Sequence, residues 1–396
     1  MAGITGLGTT FNLPNFHGEL IELSPSETPL LSATGGVGGG KQTTSPGFEW
    51  QTEDLRAPES RPRLEGADAP ASESRVRANV SNVAQIFQES VSTSYTKQAA
   101  TGQYATPGVA PFRSNDGEDN PVGDEHARQV LNALKTIATD VNYVFWHGRK
   151  VVPADNATAR AAGGLFEAIT TNRSGAIVTG ATTATDTVTS TAHGLANGDR
   201  VAFTTIGASG IRYDRVYFVR DVATNTFKVA EGSAAGAAIT LGTGAVSFVK
   251  AATALTVDAV NSLAQSVFDN GGLTDLSTSV IFVPSTQKVK LSKAYADAYG
   301  KATPVVSNVG GVPVDAIATD FGTLNVAIDR ALPADSLAIV SVGQIDPVFL
   351  SIPGKGVLFE EELAKTGSAD KTQIYGEIGL KWGNERSHGI LRGLAV

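Results

Sequence analysis

The most regular pattern along the chain is an apolar stripe between residues 124 and 147. Its members recur at intervals of three and four residues: Ala127, Val130, Leu131, Leu134, Ile137, Ala138, Val141, Val144 and Phe145. This spacing places apolar side chains on one face of a helix. Asp124 is placed to cap the start and Gly148 to end it. Such a helix spans about 36 Å, long enough to be the spine of a flat domain that contains a sheet.

Alternation of every second residue predicts a long β-hairpin within residues 46–95. The alternating residues are Phe48, Trp50 and Thr52 on one strand and Val76, Ala78 and Val80 on the other. A ribbon of two strands is only marginally stable alone, which favours a hairpin that docks on a partner.

The connection between these strands contains prolines, a glycine and charges of both signs. Its charged residues are Arg56, Glu59, Arg61, Arg63, Glu65, Asp68, Glu73, Arg75 and Arg77. A solvated loop tip is one interpretation, since chain breakers and charges are typical of exposed loops. An arm of mixed charge that docks on a partner is the other.

Residues 1–45 are rich in glycine and show little periodicity, so they predict an extended arm. Ser24, Pro25 and Glu27 have the order of a capped helix start, which Pro29 is expected to limit to about one turn. An arm with so little burial needs another surface to hold it, which favours clamping by neighbouring chains. The run from Gly35 to Gln42 approaches a P-loop, but glutamine replaces the required Ser or Thr. A flexible hinge is the preferred interpretation of these glycines.

The second half of the chain contains two consecutive segments with different patterns. Residues 176–250 form short apolar runs between turn signals and predict an all-β module, with strands near 186–192, 199–205, 215–222, 225–231, 238–241 and 245–249. We interpret it as an insertion, because loops tolerate additions at small entropic cost. Residues 251–396 then predict helices near 256–269 and 285–299 and strands near 280–283, 324–329, 337–342, 347–352, 356–363, 372–381 and 388–393.

The composition predicts that other molecules cover part of the surface. Charged residues make up 18% of the 396 residues, against roughly 25% in an average soluble domain. The net charge of −8 argues against a dedicated nucleic-acid binder. The N-terminus lacks the features of a secretory signal, and no apolar run approaches the ~20 residues of a membrane span.

The sequence offers few residues that could bind a metal or carry out catalysis. The chain has no cysteine and five histidines, which excludes thiolate sites and leaves little for a metal, so we predict no cofactor. His126 and His147 are 21 residues apart on one helix and cannot share an ion. The run Glu360–Glu362 lies in a predicted strand, where side chains alternate sides, and indicates a solvated or interface cluster. We predict no catalytic residue.

The order of arm, hairpin, spine helix and mixed α/β domain resembles the tailed-phage major capsid fold, shared with herpesvirus capsid floors and encapsulins. Four strings strengthen the resemblance to phage major head proteins: Gly18–Pro25, Thr28–Leu31, Phe48–Gln51 and Glu65–Ala67. The strings Ala192–Leu195, Gly198–Val201, Tyr217–Val219 and Asn225–Val229 resemble β modules of phage tail fibres. His193 in that module is expected to serve a turn or packing.

The resemblance implies an α+β fold of the Hong Kong phage type, with an inserted small all-β domain. The implied parts are an N-terminal arm (1–45), an E-loop hairpin (46–95), a P-domain with the spine helix and the start of the A-domain (96–175), an inserted surface domain (176–250), and the A-domain with the return to the P-domain (251–396). The nine charged residues of the hairpin connection would then form a subunit interface.

The implied function is structural. Pentamers and hexamers of the chain would build an icosahedral head around phage double-stranded DNA, bound without sequence specificity. Portal and scaffolding or decoration proteins would be partners, assembly would take place in the host bacterial cytoplasm, and no membrane would be involved. An encapsulin-like shell and a tail or baseplate protein are the alternatives, and an enzyme is the least expected.

Overall fold

A computed structural model describes residues 26–71, 74–96, 125–155, 157–183, 185–299, 305–309, 312–365 and 367–396. Two compact units divide them. The smaller unit includes Gln88–Thr136 and Glu360–Ile374, and the larger contains Glu27–Phe87, Ile137–Phe359 and Tyr375–Val396.

The structure gives the bounds of five helices, and the second, fourth and fifth of them lie where the sequence predicts a helix. They are α1 (Pro29–Ala33), α2 (Glu125–His147), α3 (Leu165–Ala168), α4 (Val257–Asp269) and α5 (Ser285–Tyr299). The long helix α2 is confirmed, and it ends immediately before the predicted stop at Gly148. Asp124 lies outside the described residues. In α4, the side chain of Thr256 accepts a hydrogen bond from the backbone N of Ala259 at 3.2 Å, which satisfies one of the free donors of the first turn.

Twenty strands are described. They are β1 (Lys41–Thr43), β2 (Gly47–Thr52), β3 (Ala78–Val83), β4 (Gln85–Ser94), β5 (Arg173–Ser174), β6 (Val178–Thr183), β7 (Thr187–Thr189), β8 (Arg200–Ile206), β9 (Val216–Arg220), β10 (Thr226–Ala230), β11 (Gly244–Lys250), β12 (Ser279–Val283), β13 (Val305–Val309), β14 (Val312–Thr319), β15 (Gly322–Ile328), β16 (Leu337–Ser341), β17 (Asp346–Leu350), β18 (Leu358–Glu362), β19 (Ala369–Lys381) and β20 (Gly389–Leu391).

The main core of the larger unit forms around a seven-stranded sheet with the order β13-β14-β15-β12-β16-β20-β5. Every residue of β12 and β16 is buried, as expected for central strands with continuous apolar runs. The apolar stripe of α4 joins the same core through Val260, Leu263 and Val267. Strands β13 and β14 were not predicted, because Gly310, Gly311 and Pro313 interrupt the apolar pattern there.

Residues 178–250 form a closed barrel with the order β10-β7-β6-β11-β8-β9. Its interior holds the buried rings of Phe203, Tyr217, Phe227 and Phe248, which meet edge to face. One predicted strand is wrong: residues 238–241 make only a single bridge, between Ala238 and Ala230. Strand β6 was missed because its threonine, glycine and alanine residues give too weak an apolar alternation.

A hairpin and a mixed sheet complete the fold. Strands β2 and β3 pair in an antiparallel register that aligns Gly47 with Val83 and Thr52 with Ala78. Val76, predicted as part of a strand, precedes β3. Strand β4 begins two residues after β3 but pairs with β19, so it belongs to the five-stranded sheet with the order β1-β17-β19-β18.

The start of α1 differs from the prediction. Pro29 occupies the first helical position instead of ending a helix, in agreement with the preference of proline for that position. Ser24 and Pro25 lie outside the described residues. The side chain of Glu27, the third residue of that predicted start, accepts a hydrogen bond from Arg330 Nε at 2.8 Å.

The glycines after α1 serve close packing as well as chain freedom. A Cβ atom on Gly39 would lie 2.5 Å from the carbonyl O of Gly35. One on Gly40 would lie 2.4 Å from Pro347 O and 2.6 Å from the Phe349 ring. These positions therefore exclude any side chain, and the interpretation as a hinge alone is incomplete.

Candidate assembly surface

The connection between β2 and β3, residues 53–77, has no regular secondary structure among its described residues. We call it the 53–77 loop. Its apolar side chains have no core: Leu55 is 84% exposed, Leu64 is 85% exposed and Val76 is 88% exposed. Single exposed apolar residues are common on protein surfaces, whereas this loop carries three large ones.

The charged residues of the 53–77 loop pair mainly with each other. Glu59 forms ion pairs with Arg61 and, at 3.4 Å, with Arg56. Arg77 Nε lies 3.8 Å from Glu53 Oε2, and Arg63 donates to the carbonyl O of Asp68 at 3.3 Å. Exposed pairs of this kind are worth about 0–1 kcal/mol each, so they hold the loop conformation only weakly.

The structure brings three of the nine predicted interface residues together through ion pairs. Arg56, Glu59 and Arg61 form one cluster. Glu65 and Arg75 are exposed, and Glu73 lies outside the described residues. The three exposed apolar residues were not predicted from the sequence. They could have been, because they lie in a segment with several chain breakers, where apolar side chains have no regular strand or helix to bury them.

The root of the loop is anchored more firmly than its tip. Trp50 Nε1 donates to the carbonyl O of Gly383 at 2.9 Å, and its ring meets Trp382 edge to face with centroids 4.9 Å apart. Arg386 and Asp54 form an ion pair at 3.4 Å. A groove of about 780 Å³ lies between this root and residues 381–386. The loop therefore projects from a fixed base.

A buried polar cluster fixes the point where the N-terminal segment meets α2. Asp329 is fully buried and accepts hydrogen bonds from Trp146 Nε1 at 2.8 Å and from the backbone N of Ala331 at 2.8 Å. Burial raises the pKa of the Asp329 carboxyl group. Asn142 donates to the same carboxyl and accepts from the backbone N of Leu31 at 3.1 Å, which joins α1 to α2.

The residues considered for chemistry have structural partners. Lys41, in the P-loop-like run, lies on β1 and contacts Asp346 Oδ2 at 2.7 Å, a hydrogen bond that raises the lysine pKa. His126 lies between the hydroxyls of Thr93 and Thr372, at 3.0 and 2.8 Å. Within the part of the chain that the structure describes, no three His, Asp or Glu residues form a group that could hold a metal.

The remaining candidates also have structural positions. His193 accepts from the backbone N of Leu195 and contacts the carbonyl O of Ala223 at 3.0 Å, which confirms a turn role. Glu360 and Glu362 are exposed on β18, and Glu361 accepts from Gln373 at 3.0 Å. No described helix combines the length and apolarity needed to cross a bilayer.

Comparison with known proteins identifies the family of this chain. The family model described as SU10 major capsid protein matches residues 3–395. The chain belongs to the SU10 major capsid protein family. It is a major capsid protein of tailed phages that forms an icosahedral shell, and it is a structural protein, not an enzyme. The interpretation as a tail or baseplate protein is therefore set aside.

Solved capsids share the fold of this major capsid protein at low sequence identity. The capsid asymmetric unit of cyanophage A-1(L) matches with a TM-score of 0.54 and 12% identity, over 99% of this chain and 100% of that one. The capsid of the Myoviridae phage XM1 matches with a TM-score of 0.50 and 10% identity, over 98% and 100%. The SrpI encapsulin of Synechococcus elongatus matches with a TM-score of 0.46 and 8% identity, over 90% and 85%. No curated protein matches the chain.

Proposed function

We propose that the 53–77 loop of this capsid protein binds an adjacent copy, and that this contact joins the copies within pentamers and hexamers. The observation that carries the proposal is the exposure of Leu55, Leu64 and Val76, at 84–88%, in a loop without a core. Burial of such side chains against a neighbour is favourable by roughly 1.5–3 kcal/mol each when complete. The surrounding charges of both signs supply orientation.

The anchored root supports the same role. A projecting arm transmits force to its own subunit only if its base is fixed, and the hydrogen bond and ring contact of Trp50 fix that base. The nine charged residues predicted as interface remain candidates for contacts with the neighbour. Many weak contacts of this kind add up in a closed symmetric shell.

The test removes two arginines of the loop and compares them with two arginines elsewhere. We expect Arg56→Ala with Arg61→Ala to lower the yield of closed shells in negative-stain images, with an unchanged melting temperature. The control is Arg215→Ala with Arg220→Ala, which removes two half-buried arginines of the barrel that also pair with acidic residues. Normal shells from the loop variant, or equal loss in the control, would contradict the proposal.

We also propose the remaining parts of the assembly on the resemblance to phage head proteins. The shell would enclose double-stranded DNA without sequence-specific binding, with portal and scaffolding or decoration proteins as partners, and would assemble in the host bacterial cytoplasm. The net charge of −8 supports non-specific enclosure, because an acidic chain gains little from contacts with phosphates. Tight, salt-dependent binding of a DNA duplex by purified subunits would contradict this part.

The division into arm, E-loop, P-domain, A-domain and inserted surface domain is likewise a proposal. One feature supports the insertion. A Cβ atom on Gly175, before the barrel, would lie 3.4 Å from Val249 Cγ1 on its last strand. The chain therefore enters and leaves the barrel at neighbouring points, as an added domain requires.

A further inference from the structure

We propose that the barrel and the end of α2 form one cooperative unit, so that the barrel fixes the last turns of the long helix and is not a dispensable appendage. The inference goes beyond the role of the 53–77 loop and does not depend on it. It rests on the contacts between the barrel and the residues around it, all within the larger unit.

Three arginines outside the barrel donate hydrogen bonds to its backbone carbonyls. Arg173 Nη1 donates to Thr204 O at 2.5 Å, and Arg149 Nη1 donates to Ala208 O at 3.0 Å. Arg392 Nη1 donates to Tyr213 O at 2.9 Å. A barrel that moved away would have to break all three bonds.

The Arg392 contact is the most costly to break, because it is held in a buried ion pair. The guanidinium binds both carboxylate oxygens of Asp335, at 2.9 and 3.1 Å. Arg392 is 3% exposed and Asp335 is fully buried. Loss of the barrel would leave a desolvated cation with an unsatisfied donor, a situation that proteins avoid.

A row of rings continues the contact from the barrel to the helix end. Tyr213 of the barrel stacks on Phe166 with centroids 6.1 Å apart, and Phe166 stacks on His147 at 5.1 Å. His147 is the last residue of α2. One turn earlier, the hydroxyl of Tyr143 accepts a hydrogen bond from Arg212 of the barrel at 2.6 Å. The barrel thus covers an apolar and a polar face of the helix end.

The segment that follows the barrel is also held closely against the rest of the larger unit. Gly393, with φ +83°, would place a Cβ atom 2.9 Å from Lys250 O, the last residue of β11. Thr253 then forms a parallel bridge with Leu394, and its backbone N donates to Gly393 O at 3.1 Å. The segment after the barrel is therefore paired within three residues of its end.

The test measures hydrogen exchange of the full-length, unassembled chain. Phe227→Leu weakens the barrel at a site away from the junction, since the Phe227 ring meets only His193 and Phe248 among the ring contacts described. We expect amides of the barrel and of Ile137–His147 to exchange faster by the same factor, about tenfold. Faster exchange in the barrel with unchanged exchange in Ile137–His147 would overturn the proposal.

A second variant keeps the barrel core intact. Arg149→Ala removes one donor of the junction, and we expect faster exchange both in residues 206–215 and at the end of α2. The matched control is Arg160→Ala, which removes a nearby arginine whose partner is Glu377, at 2.7 Å, outside the barrel. An equal effect of the control at both segments would also overturn the proposal. Because shell formation is not measured, failure here leaves the role of the 53–77 loop untouched.

Discussion

At the scale of single residues, two histidines are held where a positive charge is unfavourable. His147 is buried against Phe166 and contacts the carbonyl O of Ala331 through Nε2. His388 is fully buried, accepts from the backbone N of Ser341 through Nδ1 and contacts Trp382 O through Nε2. Burial lowers the pKa of each to about 4. Both side chains are buried and contact backbone carbonyls, so their role here is in packing.

These histidines predict a loss of stability in mild acid. Because the pKa of about 4 in the folded chain lies below the unfolded value of 6.5, the unfolded chain takes up protons first. Their contribution is complete above pH 6.5 and is lost as the pH falls from there toward 4. We expect the urea midpoint to decrease across this range. In His388→Gln the decrease should be shallower; an unchanged pH profile would contradict the assignment.

Replacing the buried carboxyl of Asp329 should destabilise the fold more than replacing an exposed carboxyl. In Asp329→Asn, one of the two acceptor oxygens becomes an NH2 donor, which faces the N–H of either Trp146 or Ala331 and leaves it without an acceptor. We expect a decrease of about 1–3 kcal/mol in the free energy of unfolding, measured with urea. Asp320→Asn is the control, because Asp320 accepts from Asn261 in an exposed contact. Equal effects of the two substitutions would contradict a special role for burial.

At the scale of elements, periodicity decided what could be predicted. Helices α2 and α4 were predicted almost to the residue because their apolar stripes are regular. The fully buried strands β12 and β16 were recognisable as continuous apolar runs. Strand β6 lacked such a pattern, and the partner of β4 is set by contacts distant in sequence. Pairing of distant segments depends on tertiary packing, which local patterns do not encode.

In the turn after α1, alanine should destabilise the fold at one glycine and change little at another. Gly40→Ala would place a methyl group 2.4 Å from Pro347 O on β17, so β1 would have to shift away from its partner strand. We expect a loss of about 1–3 kcal/mol in the free energy of unfolding. Gly38→Ala meets no atom within 4 Å and should change stability by less than ~0.5 kcal/mol. Thermal unfolding of the two variants side by side checks this difference.

At the scale of the whole molecule, low charge content and exposed apolar side chains have one explanation. A capsid protein is covered by its neighbours, so it needs fewer charges for solubility than a free monomer. Composition indicated a covered surface but not its location. The 53–77 loop could be located from its charges and chain breakers, whereas the pairing of Arg56, Glu59 and Arg61 within one copy required the structure.

Replacing the exposed leucines of the loop should impair assembly without affecting folding. Leu55→Ser with Leu64→Ser changes side chains that are 84% and 85% exposed, so we expect no measurable change in the melting temperature. Shell yield, measured by sedimentation, should fall, because the apolar area available to a neighbour is lost. The control is Val289→Ser on α5, which is 71% exposed and lies outside the loop. Normal shells from the double variant would contradict the proposed docking.

The pairing of charges inside the 53–77 loop has a consequence for how a shell corrects its errors. Glu59 already pairs with both Arg56 and Arg61 within one copy. In the proposed docking, these charges would exchange one set of ion pairs for another instead of adding new ones. The charges would then add little free energy to each contact, so they would not hold a wrongly oriented copy in place. Permanence would come only with closure, when every copy is held from several sides at once.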